Sequence, residues 1–218
     1  MGITYGLEEM EYLKKKDSVL RALIDKRGVI AAGSDTLKAQ NTGSVSESGV
    51  FTFLATNIIG QQLSNKAAAC IVDRALKVVG SFTPDSLLNV GKEELRSCGI
   101  SGRKISYIRK LSEDVKEGNY SLAGLEQMND EEVITHLMKV KGVGRWTAEM
   151  TACFCLGRLN IFSYDDVALR NGILKAHRGF KTLSRHRFER LRKLYDPYCS
   201  VAALYYYAVN DGEIDPEP

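Results

Sequence analysis

The sequence predicts an all-α chain, and three observations carry that prediction. Apolar residues recur at spacings of three and four along most of the 218 residues, the period that lines one face of a helix. Helix-start chemistry stands at the head of several of these stretches. Convincing period-two alternation is absent, and Val29-Ile30-Ala31-Ala32 is the one stretch that suits a short strand.

Taken in order, residues Gly33 to Gly49 are polar and contain glycine and serine, which suits a loop or a connection between lobes. Thr83-Pro84 reads as an N-cap with proline at the first helical position. A helix from about Gly102 to Glu117 gathers Ile105, Ile108, Leu111 and Val115 on one face, with Arg103, Lys104, Arg109 and Lys110 elsewhere around it. Asn129-Asp130-Glu131-Glu132 places an Asn cap three residues before a glutamate, a capping-box arrangement. Val133, Ile134, Leu137 and Met138 form the apolar face that follows, and Phe188, Leu191 and Leu194 form another near the end.

A hydrophobic share of 44% is enough for a real core. The net charge of +3 permits a polyanionic partner without requiring one, so any positive face must be one side of the molecule. Cysteines 70, 98, 153, 155 and 199 make no disulfide framework in a chain of this length. Cys153 and Cys155 would point to nearly opposite sides of a helix, and His136, His177 and His186 add no zinc spacing, so the thiols are expected to be small buried apolar groups. No secretory signal, myristoylation site or membrane-spanning apolar run is read, and a reducing, intracellular setting is the expectation.

The most informative run is Lys141-Gly142-Val143-Gly144-Arg145-Trp146-Thr147-Ala148. It joins the helix ending near Met138 to one beginning near Gly144. Two glycines let the backbone turn and approach a ligand without an intervening Cβ. The first N–H groups of the second helix then face outward with the positive end of its dipole behind them, which suits a phosphate oxygen. Such a contact positions a protein on a nucleic-acid backbone and reads no sequence. About twenty residues later, Asp165-Asp166 stands before Val167-Ala168-Leu169, where a helix starts.

With these motifs in place, the chain resembles the helix-hairpin-helix DNA glycosylase superfamily, and within it the 3-methyladenine DNA glycosylase II branch. The resemblance runs from about Asp17 to Val209. It is carried by the hairpin, by Ile58-Ile59-Gly60-Gln61-Gln62-Leu63-Ser64, by Gly99 to Ile108, and by Ser163-Tyr164-Asp165-Asp166. It implies two helical lobes with a cleft between them. One combines residues 1–47 with 160–218, and the other spans 48–159 with the helix-hairpin-helix at about 130–156. The extra N-terminal β domain of larger members has no room before Asp17.

The resemblance also implies roles. Asp166 matches the catalytic aspartate, whose carboxylate stabilises positive charge on the deoxyribose as the N-glycosidic bond breaks; by its own local sequence Asp166 is equally an N-cap. Asp165 is the weaker candidate, with capping as its expected role. Trp146 stands where strand-cutting relatives carry a Schiff-base lysine, so a monofunctional enzyme is expected that leaves an intact abasic site. An indole face there also suits an alkylated, cationic base of the 3-methyladenine or 7-methylguanine type. Tyr207 matches a second aromatic pocket position that is usually tryptophan; packing between lobes is its other reading. Gln62 matches the wedge that fills the gap left by a flipped base, and Gln61 a pocket contact, unless both amides only brace their loop. Lys141, Gly142, Val143, Gly144 and Arg145 would hold phosphates, as would Arg103, Lys104 and Lys110 unless these last are a solvated face.

No cofactor is required by this resemblance. It implies a structural Na⁺ or K⁺ on the carbonyls of Met138, Val140 and Val143, and no iron–sulfur cluster, since only Cys199 lies in the C-terminal region. The expected partner is double-stranded DNA containing damaged bases, bound by a monomer with no membrane association. A glycosylase for other damaged or mismatched bases, or a non-catalytic helix-hairpin-helix protein that binds DNA structures, are the alternatives.

Overall fold

The structure, a computed structural model, describes residues 2–30 and 46–216. Among these residues twelve α-helices form and no strand. Val29 and Ile30 belong to neither, and the Ile30 N–H bonds the Tyr5 hydroxyl at 2.6 Å instead of a partner strand. Ala31 and Ala32, with most of the polar connection after them, lie outside the described residues. The end of that connection is not loop: Ser46 is an N-cap whose hydroxyl accepts from the Gly49 N–H, and a helix follows at once.

The chain divides into two compact units, Met1–Ser34 with Ala152–Pro218, and Asp35–Thr151. The return to the first unit comes at Ala152 rather than at residue 160. A buried π-helical turn, Thr151–Cys155, begins there, and its Phe154 ring meets that of Tyr207 at 6.1 Å.

The second unit is built on α3 (Glu47–Gly60), whose Val50, Phe51, Phe53, Leu54, Ala55, Ile58 and Ile59 are all buried. A helix apolar on most sides belongs inside. It packs against α4 (Asn65–Val79) and α7 (Gly102–Lys116); α5 (Pro84–Asn89) packs on α7, and α6 (Lys92–Ser97) on both α7 and α4. Thr83 caps α5 ahead of Pro84, and Ile105, Ile108 and Leu111 of α7 are buried, both as the sequence predicts. Arg109 closes the end of α5 by donating to the Leu87 and Val90 carbonyls at 3.1 and 2.9 Å. The unit ends with α8 (Asp130–Leu137) and α9 (Arg145–Met150). Met138, expected on the apolar face of α8, is 44% exposed because the helix stops at Leu137 and Met138 turns away as its C-cap.

In the first unit α1 (Leu7–Lys16) and α2 (Ser18–Arg27) meet at Asp17. Asp17 Oδ1 caps α2, and its Oδ2 accepts from the Tyr195 hydroxyl at 2.5 Å. The Tyr195 and Tyr206 hydroxyls share a 2.7 Å bond, and His177 Nε2 meets Tyr206 at 2.9 Å. This network ties α2 to the end of α10 (Val167–Ala176), to α11 (Arg185–Tyr195) and to α12 (Cys199–Asn210). α12 is buried on nearly every side. Leu194, expected in the core, is 37% exposed and instead borders a groove of about 580 Å³ lined also by Phe180, Arg187 and Arg190.

Candidate DNA-binding hairpin and carboxylate

The hairpin lies wholly in the second unit. Asn129 and Glu132 form the predicted capping box at the start of α8, and the chain turns through residues 138–144 before α9 begins. Gly142 sits at φ 91, where an L side chain is strained, and a Cβ there would stand 2.2 Å from Tyr107 Cδ2. Glycine is therefore required twice over. The Val143 N–H closes the turn onto the Val140 carbonyl at 3.0 Å. Gly144 is the N-cap of α9 and is exposed with Arg145 and Trp146. Lacking a side chain, it supplies no side-chain cap to that turn. Trp146 is 38% exposed.

Three of the expected phosphate cations are committed within the unit. Arg145 makes a bidentate pair with Glu131 at 2.9 and 2.8 Å and reaches Glu149 through Nε at 3.0 Å. Its guanidinium thus clamps α8 to α9, and its bonds hold the Glu131 carboxyl below the usual carboxylate range. Lys104 Nζ donates to the Ile59 and Gln61 carbonyls at 2.8 and 2.6 Å, satisfying the open end of α3. Burial, then the neighbouring Arg103 charge, lowers the Lys104 pKa. Lys110 pairs with Asp114. Lys141 and Arg103 remain on the surface, Lys141 Nζ lying 6.0 Å from the Tyr107 ring centre.

The two glutamines part company. The Gln61 Nε2 donates to the Gly142 carbonyl at 2.9 Å and to Thr147 Oγ1 at 3.3 Å. It braces the hairpin from the end of α3, a position for which the resemblance implies a pocket contact and the residues alone allow a brace for the loop. Gln62 is exposed and is the one non-glycine at positive φ among the described residues, at 61. It follows Gln61 at φ −50, ψ 137, and the Leu63 N–H returns to the Gly60 carbonyl at 3.2 Å. That is the geometry of a type II turn, with Gln where glycine is favoured. A strained, exposed residue of this kind is a functional candidate.

The carboxylate lies in the first unit. Asp166 is buried at 6% exposure and is itself the N-cap of α10, its Oδ1 accepting from the Leu169 N–H at 2.8 Å. Asp165, expected to cap, is exposed. The second oxygen, Oδ2, accepts from the Tyr207 hydroxyl at 3.2 Å. Sequence reasoning assigned the Tyr207 ring and missed this hydroxyl contact, and nothing local could have shown it. Tyr205 and Tyr206 are buried while Tyr207 is half-buried. The nearby Cys153 and Cys155 thiols are buried, and burial pushes them up to about 12 and about 11, which suits packing and not metal binding. Among the described residues no three His, Cys, Asp or Glu side chains gather as a metal site.

Residues 55–197 match the model of the HhH-GPD superfamily base excision DNA repair proteins, a stretch that includes the hairpin and Asp166. The chain belongs to this superfamily. Within it the chain is 33% identical over 152 residues to DNA-3-methyladenine glycosylase 1 of Schizosaccharomyces pombe, covering 68% of this chain and 67% of the relative. Its fold is similar to the crystal structure of a DNA-3-methyladenine glycosidase from Bacillus halodurans, with TM-score 0.78, 32% identity, and 96% and 93% of the two chains covered. It is also similar to the S. pombe 3-methyladenine DNA glycosylase bound to abasic DNA, with TM-score 0.75, 25% identity, and 97% and 100% covered. In this HhH-GPD chain the glycine turn of the hairpin and the helix-capping carboxylate are both present.

Proposed function

We propose that the chain is a monofunctional DNA glycosylase of base excision repair that hydrolyses the N-glycosidic bond of alkylated bases in duplex DNA. The reading rests on Asp166, a buried carboxylate inside the stretch that matches the base-excision family, at the position where the resemblance implies the catalytic aspartate; capping α10 uses only its Oδ1. As the C1′–N bond breaks, positive charge grows on the deoxyribose, and a fixed carboxylate stabilises it. A base methylated at a ring nitrogen already carries positive charge and leaves neutral, so no side-chain acid is needed. Water then bonds C1′, and its proton passes to Asp166 or to solvent.

In this scheme the exposed Trp146 stacks on the electron-poor base, a contact worth about 0.5–2 kcal/mol. Gln62 enters the stack in place of the extruded base, while Lys141, Arg103 and the α9 N-terminus hold phosphates. Arg145, Lys104 and Gln61 act indirectly by fixing the hairpin. The carbonyls of Met138, Val140 and Val143 would hold the ion through neutral oxygens, and the Val140 carbonyl, which accepts from the Val143 N–H, has a second lone pair to offer. Neutral carbonyl oxygens suit a singly charged ion, which would add positive charge next to a phosphate. The protein acts as a monomer.

The test is release of free base from methylated duplex DNA by the wild type and by Asp166→Asn. Release by the wild type and its loss in a folded variant are expected. Binding without release of any base from a panel of methylated, hypoxanthine and 8-oxoguanine duplexes would remove the enzyme reading. A borohydride-trapped adduct with abasic DNA would contradict the monofunctional assignment.

A further inference from the structure

We propose that Tyr207 is a positioning residue for the Asp166 carboxylate, acting through its hydroxyl and not as a wall of the base pocket. The proposal rests on Asp166 being the group that faces the sugar. Two bonds at two different oxygens fix a carboxylate more fully than one. The Leu169 N–H holds Oδ1 at 2.8 Å and sets where the group sits. The Tyr207 hydroxyl on Oδ2, at 3.2 Å, opposes rotation of its plane about Cβ–Cγ.

The tyrosine is itself held. Its neighbour Tyr206 anchors α12 through Tyr195 and His177. A Cβ on Gly172 would stand 1.9 Å from the Tyr206 carbonyl oxygen, so α10 and α12 are in backbone contact one helical stretch from Asp166. The Phe154 ring flanks Tyr207 at 6.1 Å, tilted by 46°. A ring whose hydroxyl is bonded to the carboxylate has its long axis directed at Asp166, and tryptophan, usual at the matching position of the branch, has no hydroxyl to make this bond. Electrostatic help to a transition state depends on groups that need not reorganise. A phenol on the carboxylate supplies that rigidity here.

The test compares full-length wild type, Tyr207→Phe and Tyr207→Trp on a duplex containing one 7-methylguanine. Single-turnover release is measured alongside equilibrium affinity for the same duplex in an Asp166→Asn background. Phe keeps the ring and loses the hydroxyl. Its release rate is expected to fall about tenfold, the low end of what a hydrogen bond to a charged group is worth, with affinity within about twofold. Trp is expected to behave as Phe does. Release by Tyr207→Phe at the wild-type rate overturns the proposal. So does a loss that appears equally in affinity, or one that Trp restores, since either makes the ring and not the hydroxyl the working part. Thermal unfolding confirms that each variant is folded. Wild-type release by Asp166→Asn alone would instead remove the underlying assignment, whatever Tyr207 does.

Discussion

Replacing Gly172 by alanine is expected to part α10 from α12 and so to damage stability and catalysis together. The added Cβ would lie 1.9 Å from the Tyr206 carbonyl oxygen, 2.6 Å from its carbon and 3.1 Å from its Cα. All three are backbone atoms, so no rotamer change relieves the clash. Restoring ordinary contact moves the helices apart by about 1.5 Å, which leaves a gap along Leu169, Ile173 and Ala176, all buried in this seam. Overpacking of a close core costs about 1–3 kcal/mol, and a backbone obstacle belongs at the top of that range. Alanine's better helix propensity offsets about 1 kcal/mol. The net loss is therefore about 2 kcal/mol, or a fall of about 1 M in the urea midpoint for a slope near 2 kcal/mol per M. The same movement would carry Tyr207 out of reach of Asp166, now 3.2 Å away. Release of 7-methylguanine should then fall by about tenfold or more at urea-free conditions where the variant is fully folded. A variant within about 0.5 kcal/mol of wild type that releases base at the normal rate would refute the close-packing argument.

Other perturbations separate strain, turn geometry and titration. Gln62→Gly relieves the positive φ at 61 and should leave stability unchanged or raised by up to about 1 kcal/mol, while weakening base release; equal release would show that the side chain does not enter the DNA. Gly142→Ala meets both the φ of 91 and the Tyr107 ring, and should weaken duplex binding by about tenfold or more; adding Tyr107→Ala would remove the clash but not the strain, so binding should recover only in part. Burial holds His177 below its ordinary pKa of 6.5, with the Asp17 carboxylate opposing. The unfolded chain then takes up the proton first, so this contribution is full above about pH 6.5 and is lost as pH falls toward the folded value. Urea unfolding at several pH values should show that slope in the wild type and a shallower one in His177→Gln.

Local chemistry made much of this fold legible. The Thr83 and Asn129 caps, the buried face of α7 and the glycine turn of the hairpin all depend on residues within one or two turns of each other, where side-chain preference and backbone geometry act directly. The same short range explains the failures. Val29 and Ile30 have β-forming side chains but no strand among the described residues to pair with, and Met138 and Leu194 keep the helical period at helix ends that face outward.

What the sequence by itself determined is an all-helical chain with a glycine hairpin between two helices and a carboxylate at a helix start. What only the tertiary structure decided is the partner of each polar side chain. Lys104 closes a helix 45 residues away, and Gln61 grips a carbonyl 81 residues away. The Tyr207 hydroxyl finds a carboxylate 41 residues upstream, and Asp166 turns out to cap and to face Tyr207 with different oxygens. A buried hydrogen-bonding group must find a partner somewhere, but which one is set by the packing that brings distant helices together.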